Sequence, residues 1–183
     1  MPKLHSVLKA SYKGGDIGEG YVKDNSLSNG DYQTYYNPGN NKLIFSVTGT
    51  HKLRDVGTDL WLAFGGLKQT NRYKQADRAL KKAKDKYKPA ATSVTGHSLG
   101  GSIAQGIGSK SDNIKTLDAG YTIGQRTRGE HFRTSGDMVS LLGSGAKHTT
   151  TLADPHTRRT GIFSLDSLRA HNVDNIKDHD VFV

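Results

Sequence analysis

The stretch Ala91-Thr92-Ser93-Val94-Thr95-Gly96-His97-Ser98-Leu99-Gly100-Gly101-Ser102-Ile103-Ala104-Gln105-Gly106-Ile107-Gly108 decides how the rest of this chain is read. Ala91 to Thr95 is a short β-favouring run that leads into Gly96. Ser102 to Gly108 is a small-residue stretch, read as a helix packed closely on a sheet despite its glycines. Between them Gly96, Ser98 and Gly100 make a G-x-S-x-G pattern. A serine at a sharp strand-to-helix bend is forced into a strained backbone, where side chains two residues either side would collide; glycines at 96 and 100 remove that collision. The hydroxyl then projects above the sheet edge, and the following helix directs its N-terminal amides and positive dipole end toward it. An oxyanion forming there is stabilised. In a chain with 22 glycines the competing reading is a glycine turn with an idle serine. The strand before it, the helix after it and the acids and histidines still to come favour the chemical one.

Outward from the bend, Asn71 to Tyr87 carries Tyr73, Ala76, Leu80, Ala83 and Tyr87 at spacings of three and four, which predicts an amphipathic helix ended by Pro89. Lys42 to Thr48 is a β-favouring run between the turn Asn37-Pro38-Gly39-Asn40-Asn41 and Gly49, and predicts a buried central strand. Asp55 to Phe64 reads as a helix with Asp55 as N-cap, ending near Gly65-Gly66. A strand is expected at Ile114 to Leu117, and Glu130 to Arg133 leads to a turn at Ser135-Gly136-Asp137. Residues 11 to 41 read as short strands and turns. Strands alternating with helices predict an α/β fold with a mostly parallel sheet flanked by helices.

The 183 residues suit one domain, 1–183. No apolar run approaches the roughly 20 residues that span a bilayer, and Met1 to Lys9 lacks the apolar core of a signal peptide. A soluble protein not exported through a signal peptide is the expectation. With no cysteine, disulfides, thiolate metal sites and cysteine nucleophiles are excluded. The formal charge of +9 implies attraction to something anionic: phospholipid headgroups, nucleic acid or an acidic partner.

Residues Leu43 to Asp137 resemble the class 3 lipases, the fungal-type triacylglycerol lipases, and the resemblance extends toward His171. Gly96-His97-Ser98-Leu99-Gly100-Gly101 is identical to that family's serine bend. Val47-Thr48-Gly49-Thr50 stands where the family has a strand ending in Arg-Gly-Thr or Arg-Gly-Ser, with Asp55 and Asp59 at similar spacing. Thr116 to Gly124 resembles its Thr-Phe-Gly-x-Pro-x-x-Gly segment, and Gly136-Asp137-Met138-Val139 its acid turn. Thr48 replaces the family's arginine, the prolines after Gly120 and Asp137 are missing, and the C-terminal third is shorter. These departures bear on substrate class and leave Ser98 in place. The small size and basic charge also resemble short lipase-like proteins of DNA viruses.

The resemblance implies a single-domain α/β-hydrolase-type fold and a serine hydrolase acting on carboxylic esters of lipids, without metal or organic cofactor. Ser98 attacks the ester carbonyl, and the Leu99 amide, with Thr50 through its amide or hydroxyl, holds the oxyanion. Gly49 lets that loop approach closely. A serine hydroxyl needs a histidine to take its proton and a carboxylate to orient the imidazole. Asp137 is the favoured acid, with Asp118 the main rival and Asp154 and Asp166 behind. Of the histidines beyond Asp137, namely His148, His156, His171 and His179, the resemblance favours His171. His97 reads as structural, pointing away from the nucleophile.

Two stretches keep two readings each. Leu60-Trp61-Leu62-Ala63-Phe64 is apolar on every face, as a core helix or as part of an acyl cleft or lid. The helix from Asn71 to Lys88 carries eight basic and two acidic residues. That is an ordinary solvated face, or one turned to an anionic membrane at about 1 kcal/mol per nearby cation. A competing function is an inactive hydrolase fold whose basic surface binds nucleic acid, anionic membrane or a virion; no nucleic-acid motif supports it.

Overall fold

The computed structural model describes residues 1–50, 66–120, 128–137, 139–141, 148–153 and 170–183. The helix expected at Asp55–Phe64, the Leu60–Phe64 cluster, Asp154, His156 and Asp166 lie outside the described residues. Among the described residues seven strands form one sheet in sequential order, β1 (Val22–Lys23), β2 (Tyr32–Asn37), β3 (Lys42–Val47), β4 (Ala91–His97), β5 (Asn113–Leu117), β6 (Glu130–Thr134) and β7 (Thr149–Leu152). The β1–β2 and β2–β3 pairs are antiparallel; β3 through β7 run parallel. This is the mostly parallel α/β architecture that the alternation of elements predicts.

Period-two alternation splits the core into two layers. On β3, Leu43, Phe45 and Val47 face one cluster with Ala76, Leu80 and Ala83 of α2 (Asn71–Tyr87) and Ile103 and Ala104 of α3 (Leu99–Ile107). Ile44 faces the other cluster, with Leu4, Val7 and Leu8 of α1 (Leu4–Lys13), Leu117 and Phe132. Strands buried on both sides read as near-continuous apolar runs, and that is why Leu43-Ile44-Phe45 lacks alternation in sequence. Helix α2 spans the residues its periodicity predicts.

Helix α1 is a correction, because the reading of residues 11–41 as strands and turns overlaps its last turn. It has ten residues and no side-chain N-cap, so its stability comes from the apolar face Leu4, Val7 and Leu8 laid on the sheet. Gly14, at φ 70°, ends it. The edge strand β7, mostly threonine, gives no apolar pattern and was not expected.

Tight backbone contact holds α3 against the sheet at the bend. A Cβ at Gly96 would overlap the carbonyl of Gly100, and one at Gly100 would overlap the carbonyl of Val47. Backbone cannot rotate aside as a side chain can. Gly100→Ala is expected to destabilise by about 3 kcal/mol, the upper end of overpacking penalties, read as the loss of unfolding free energy in a urea titration.

Asp24 ties the end of α2 to the turn Asn25–Leu27. One carboxylate oxygen accepts from the Ser26 amide (2.9 Å) and hydroxyl (2.6 Å), the other from Lys86 Nζ and Tyr87 Oη, each at 2.7 Å. Burial works against its charge, but these four donors outweigh burial and hold the carboxyl well below its ordinary value. The folded chain therefore binds this proton less readily than the unfolded chain. The stabilisation is complete above about pH 4 and fades as pH falls through the folded-state value. Asp24→Asn should be less stable at pH 7 and lose less further stability between pH 5 and pH 2 than the wild type. Denaturation midpoints across that range check both.

Candidate active site

Ser98 sits between β4 and α3 with φ 57° and ψ −130°, a left-handed backbone outside the ordinary range for a residue with a side chain. Its amide donates to the Leu117 carbonyl at 3.1 Å, and its own carbonyl receives the Ser102 amide at 3.2 Å. The strained residue is thus clamped by β5 on one side and the first turn of α3 on the other. Its Oγ is buried and has no hydrogen-bond partner among the described residues. Leu99 opens α3, so its amide is free of intrahelical bonding and lies at the positive end of the helix.

The loop after β3 comes up to this serine. A Cβ on Gly49 would stand 3.1 Å from Ser98 Cβ and 2.8 Å from the His97 carbonyl, the close approach that glycine permits. Thr50 follows, half-buried. Three outside groups pin the loop. The Gly49 amide donates to Tyr12 Oη at 3.0 Å, and Thr48 Oγ1 donates to the Ser11 carbonyl at 3.1 Å. From α2, the Arg72 guanidinium donates to the carbonyls of Thr48 and Gly49, the latter at 3.2 Å, while pairing with Asp31 at 3.1 Å.

Asp137 follows β6, past the turn at Ser135-Gly136, and His171 lies near the C-terminus. They meet as a buried pair, His171 Nδ1 to Asp137 Oδ1 at 2.8 Å, with exposures of 2% and 1%. Asp137 Oδ2 also accepts from the Ser140 amide at 2.8 Å and from the Ser140 hydroxyl. Burial alone would raise the Asp137 carboxyl; the His171 charge and hydrogen bond, joined by Ser140, hold it below its ordinary value. Burial likewise disfavours the His171 cation, and Asp137 more than offsets this, so the imidazole lies above its ordinary value. With Nδ1 held by a carboxylate, His171 Nε2 is left buried and without a partner among the described residues.

Asp118, the rival acid, is beside this pair rather than in it. It directly follows β5 at φ 47° and is wholly buried, its carboxyl group accepting from the Thr134 amide (2.6 Å) and hydroxyl (3.0 Å). Burial first, and then repulsion from Asp137, push it up to about 8. An uncharged acid near neutral pH is poorly suited to stabilise an imidazolium. The ring of His97 lies against that of His171, centroids 4.7 Å apart, with Nδ1 bonded to Tyr12 Oη at 2.7 Å. Burial, with the His171 charge adding to it, keeps His97 well below its ordinary value and neutral. Of the other candidate bases, His148 is exposed beside β7 and His179 half-exposed near the C-terminus. Tyr12 and Arg72 were missed. Tyr12 lies on the unexpected helix, and Arg72 on what reads as a solvated face.

The family model for class 3 lipases, "Lipase (class 3)", matches residues 53–109, from the stretch before α2 through α3. Among curated proteins no sequence matches. Among solved structures the triacylglyceride lipase of Rhizomucor miehei superposes with a TM-score of 0.59 at 13% identity, covering 82% of this chain and 78% of that one. Lip2 lipase of Yarrowia lipolytica gives 0.53 at 16% identity, covering 81% and 76%. An MDLA variant from Penicillium cyclopium gives 0.51 at 14% identity, covering 92% and 90%. At such identities the likeness is one of fold, and the fold is of the α/β-hydrolase type. Residues 53–109 are thus similar in sequence to the class 3 lipases, and the sheet that carries the serine bend has the fold of fungal lipases.

Proposed function

We infer that the chain is a serine hydrolase cleaving carboxylic esters of lipids, with Ser98 as nucleophile, His171 as base and Asp137 as the acid that orients it. The observation carrying this reading is the buried His171–Asp137 bond of 2.8 Å, which leaves Nε2 unengaged on a ring packed against the residue that precedes the serine. His171 Nε2 takes the Ser98 proton as Oγ bonds to the carbonyl carbon, and the carbonyl π electrons move to oxygen. The Leu99 and Thr50 amides receive that oxyanion. Collapse breaks the ester C–O bond, His171 returns the proton to the departing alcohol, and an acyl group remains on Ser98. Water activated by the same imidazole then releases the acid. Ser98 Oγ and His171 Nε2 are not bonded to each other, and catalytic hydrogen bonds of this kind tighten in the complex with substrate.

Four basic side chains of α2 are already paired within the chain, Arg72 with Asp31, Lys81 with Asp77, Lys84 with Asp112 and Lys86 with Asp24. This reduces the cationic surface on which a purely binding role would depend. Fluorophosphonate labelling separates the two: the wild type should be labelled and Ser98→Ala should not. A panel of short esters, triglycerides and phospholipids then sets the substrate class. An unlabelled wild type that turns over none of the panel would overturn the hydrolase reading.

A further inference from the structure

Beside the triad, one ligand atom from each of His97, Asp118 and His171 lies within 4.8 Å of the others, all three residues being buried. We propose that these three residues form a binding site for a borderline divalent transition-metal cation of the Zn²⁺ type, and that the bound cation switches the hydrolase off by occupying His171 Nε2. The switching half rests on His171 being the base; the binding half does not.

The donor set favours such an ion. Two imidazoles and one carboxylate suit zinc and its neighbours, whereas calcium and magnesium require oxygen cages and thiolate-bound ions require cysteine. Each histidine is arranged as metal-bound histidines generally are, with one ring nitrogen fixed by an outer partner so that the other is aimed. His171 Nδ1 is held by Asp137 at 2.8 Å and His97 Nδ1 by Tyr12 Oη at 2.7 Å. The remaining nitrogen, Nε2, is buried and unpartnered on both rings among the described residues, though both residues are more than nine-tenths buried. Two orphaned buried nitrogens are costly unless something engages them. Hydrolysis employs the Nε2 of His171; it leaves that of His97 without a task.

Asp118 completes the set. A wholly buried carboxyl group at φ 47°, with each oxygen receiving one bond from Thr134, keeps further lone pairs for a third ligand and releases its proton to solvent when the cation binds. Tetrahedral zinc at its usual bond lengths sets ligand atoms about 3.3 Å apart. The three atoms, within 4.8 Å of one another, close to that spacing on binding and leave a fourth position for water or hydroxide. A cation seated there withdraws the lone pair that His171 would offer the Ser98 proton.

The test uses the full chain, metal-free, titrated with Zn²⁺ against a chromophoric chelator of micromolar affinity. One equivalent should be withheld from the chelator, and His97→Gln and Asp118→Asn should each weaken binding at least tenfold. Co²⁺ in the wild type alone should give the intense visible bands of a four- or five-coordinate site, a readout that does not depend on a variant folding. Zn²⁺ should slow fluorophosphonate labelling of Ser98 and ester turnover, and EDTA should restore both. No stoichiometric binding, binding undiminished in both variants, or a cobalt spectrum like that of the hydrated ion would overturn the site. Zinc bound in a variant-sensitive way, with labelling and turnover unaffected, would uphold the site and overturn His171 as the base.

Discussion

Ser98→Ala is expected to lower turnover of a chromogenic short-chain ester by a factor on the order of 10⁶, the loss that follows if Ser98 is the nucleophile of a triad acting as a unit. The bend should survive the change, because its geometry comes from Gly96, Gly100 and the clamps on the Ser98 backbone rather than from the hydroxyl. The variant is therefore expected to match the wild type in melting temperature and circular dichroism while losing activity and fluorophosphonate labelling together. Turnover within tenfold of wild type in a folded Ser98→Ala protein would assign the chemistry elsewhere.

Asp137→Asn is expected to cost about 10⁴ in kcat, with substrate binding little changed, because an amide cannot hold His171 in the tautomer that leaves Nε2 as acceptor. The side chain keeps its size and can still accept from Ser140, so the loss is one of chemistry rather than of folding. Asp118→Asn discriminates between the two acids. Its carboxyl is pushed up to about 8 and is bonded to Thr134 rather than His171, so its replacement should cost far less in metal-free protein. Steady-state kinetics of both variants on one ester decides it; a larger loss in Asp118→Asn would exchange their roles.

Much of the sheet is legible along the chain because strands and helices leave local signatures. Lys42–Val47, Ala91–His97 and Asn113–Leu117 are apolar or β-branched runs bounded by turns, and α2 carries an unbroken three-and-four spacing. Helix α1 and strand β7 escape for the complementary reason. Their stability lies in what they pack on, so ten residues with a narrow apolar face, or a run of threonines, carry little signal. The serine bend is legible since its constraint is steric and reaches only two residues either way. Tyr12 and Arg72 carry no such mark, because their parts depend on a loop 37 and 23 residues away.

The sequence by itself determined the class of fold, the strained position of Ser98 and the short set of acids and histidines from which a charge-relay pair could be drawn. Those follow from sterics and periodicity acting between near neighbours. Only the tertiary structure decided that His171 meets Asp137 across 34 residues of chain, that Asp118 is bonded to Thr134, and that His97 lies against His171 with Tyr12 behind it. Parallel strands deliver their C-terminal ends to one edge of the sheet whatever their separation in sequence. Which side chains then touch is set by the sheet's register and by the path of the loops.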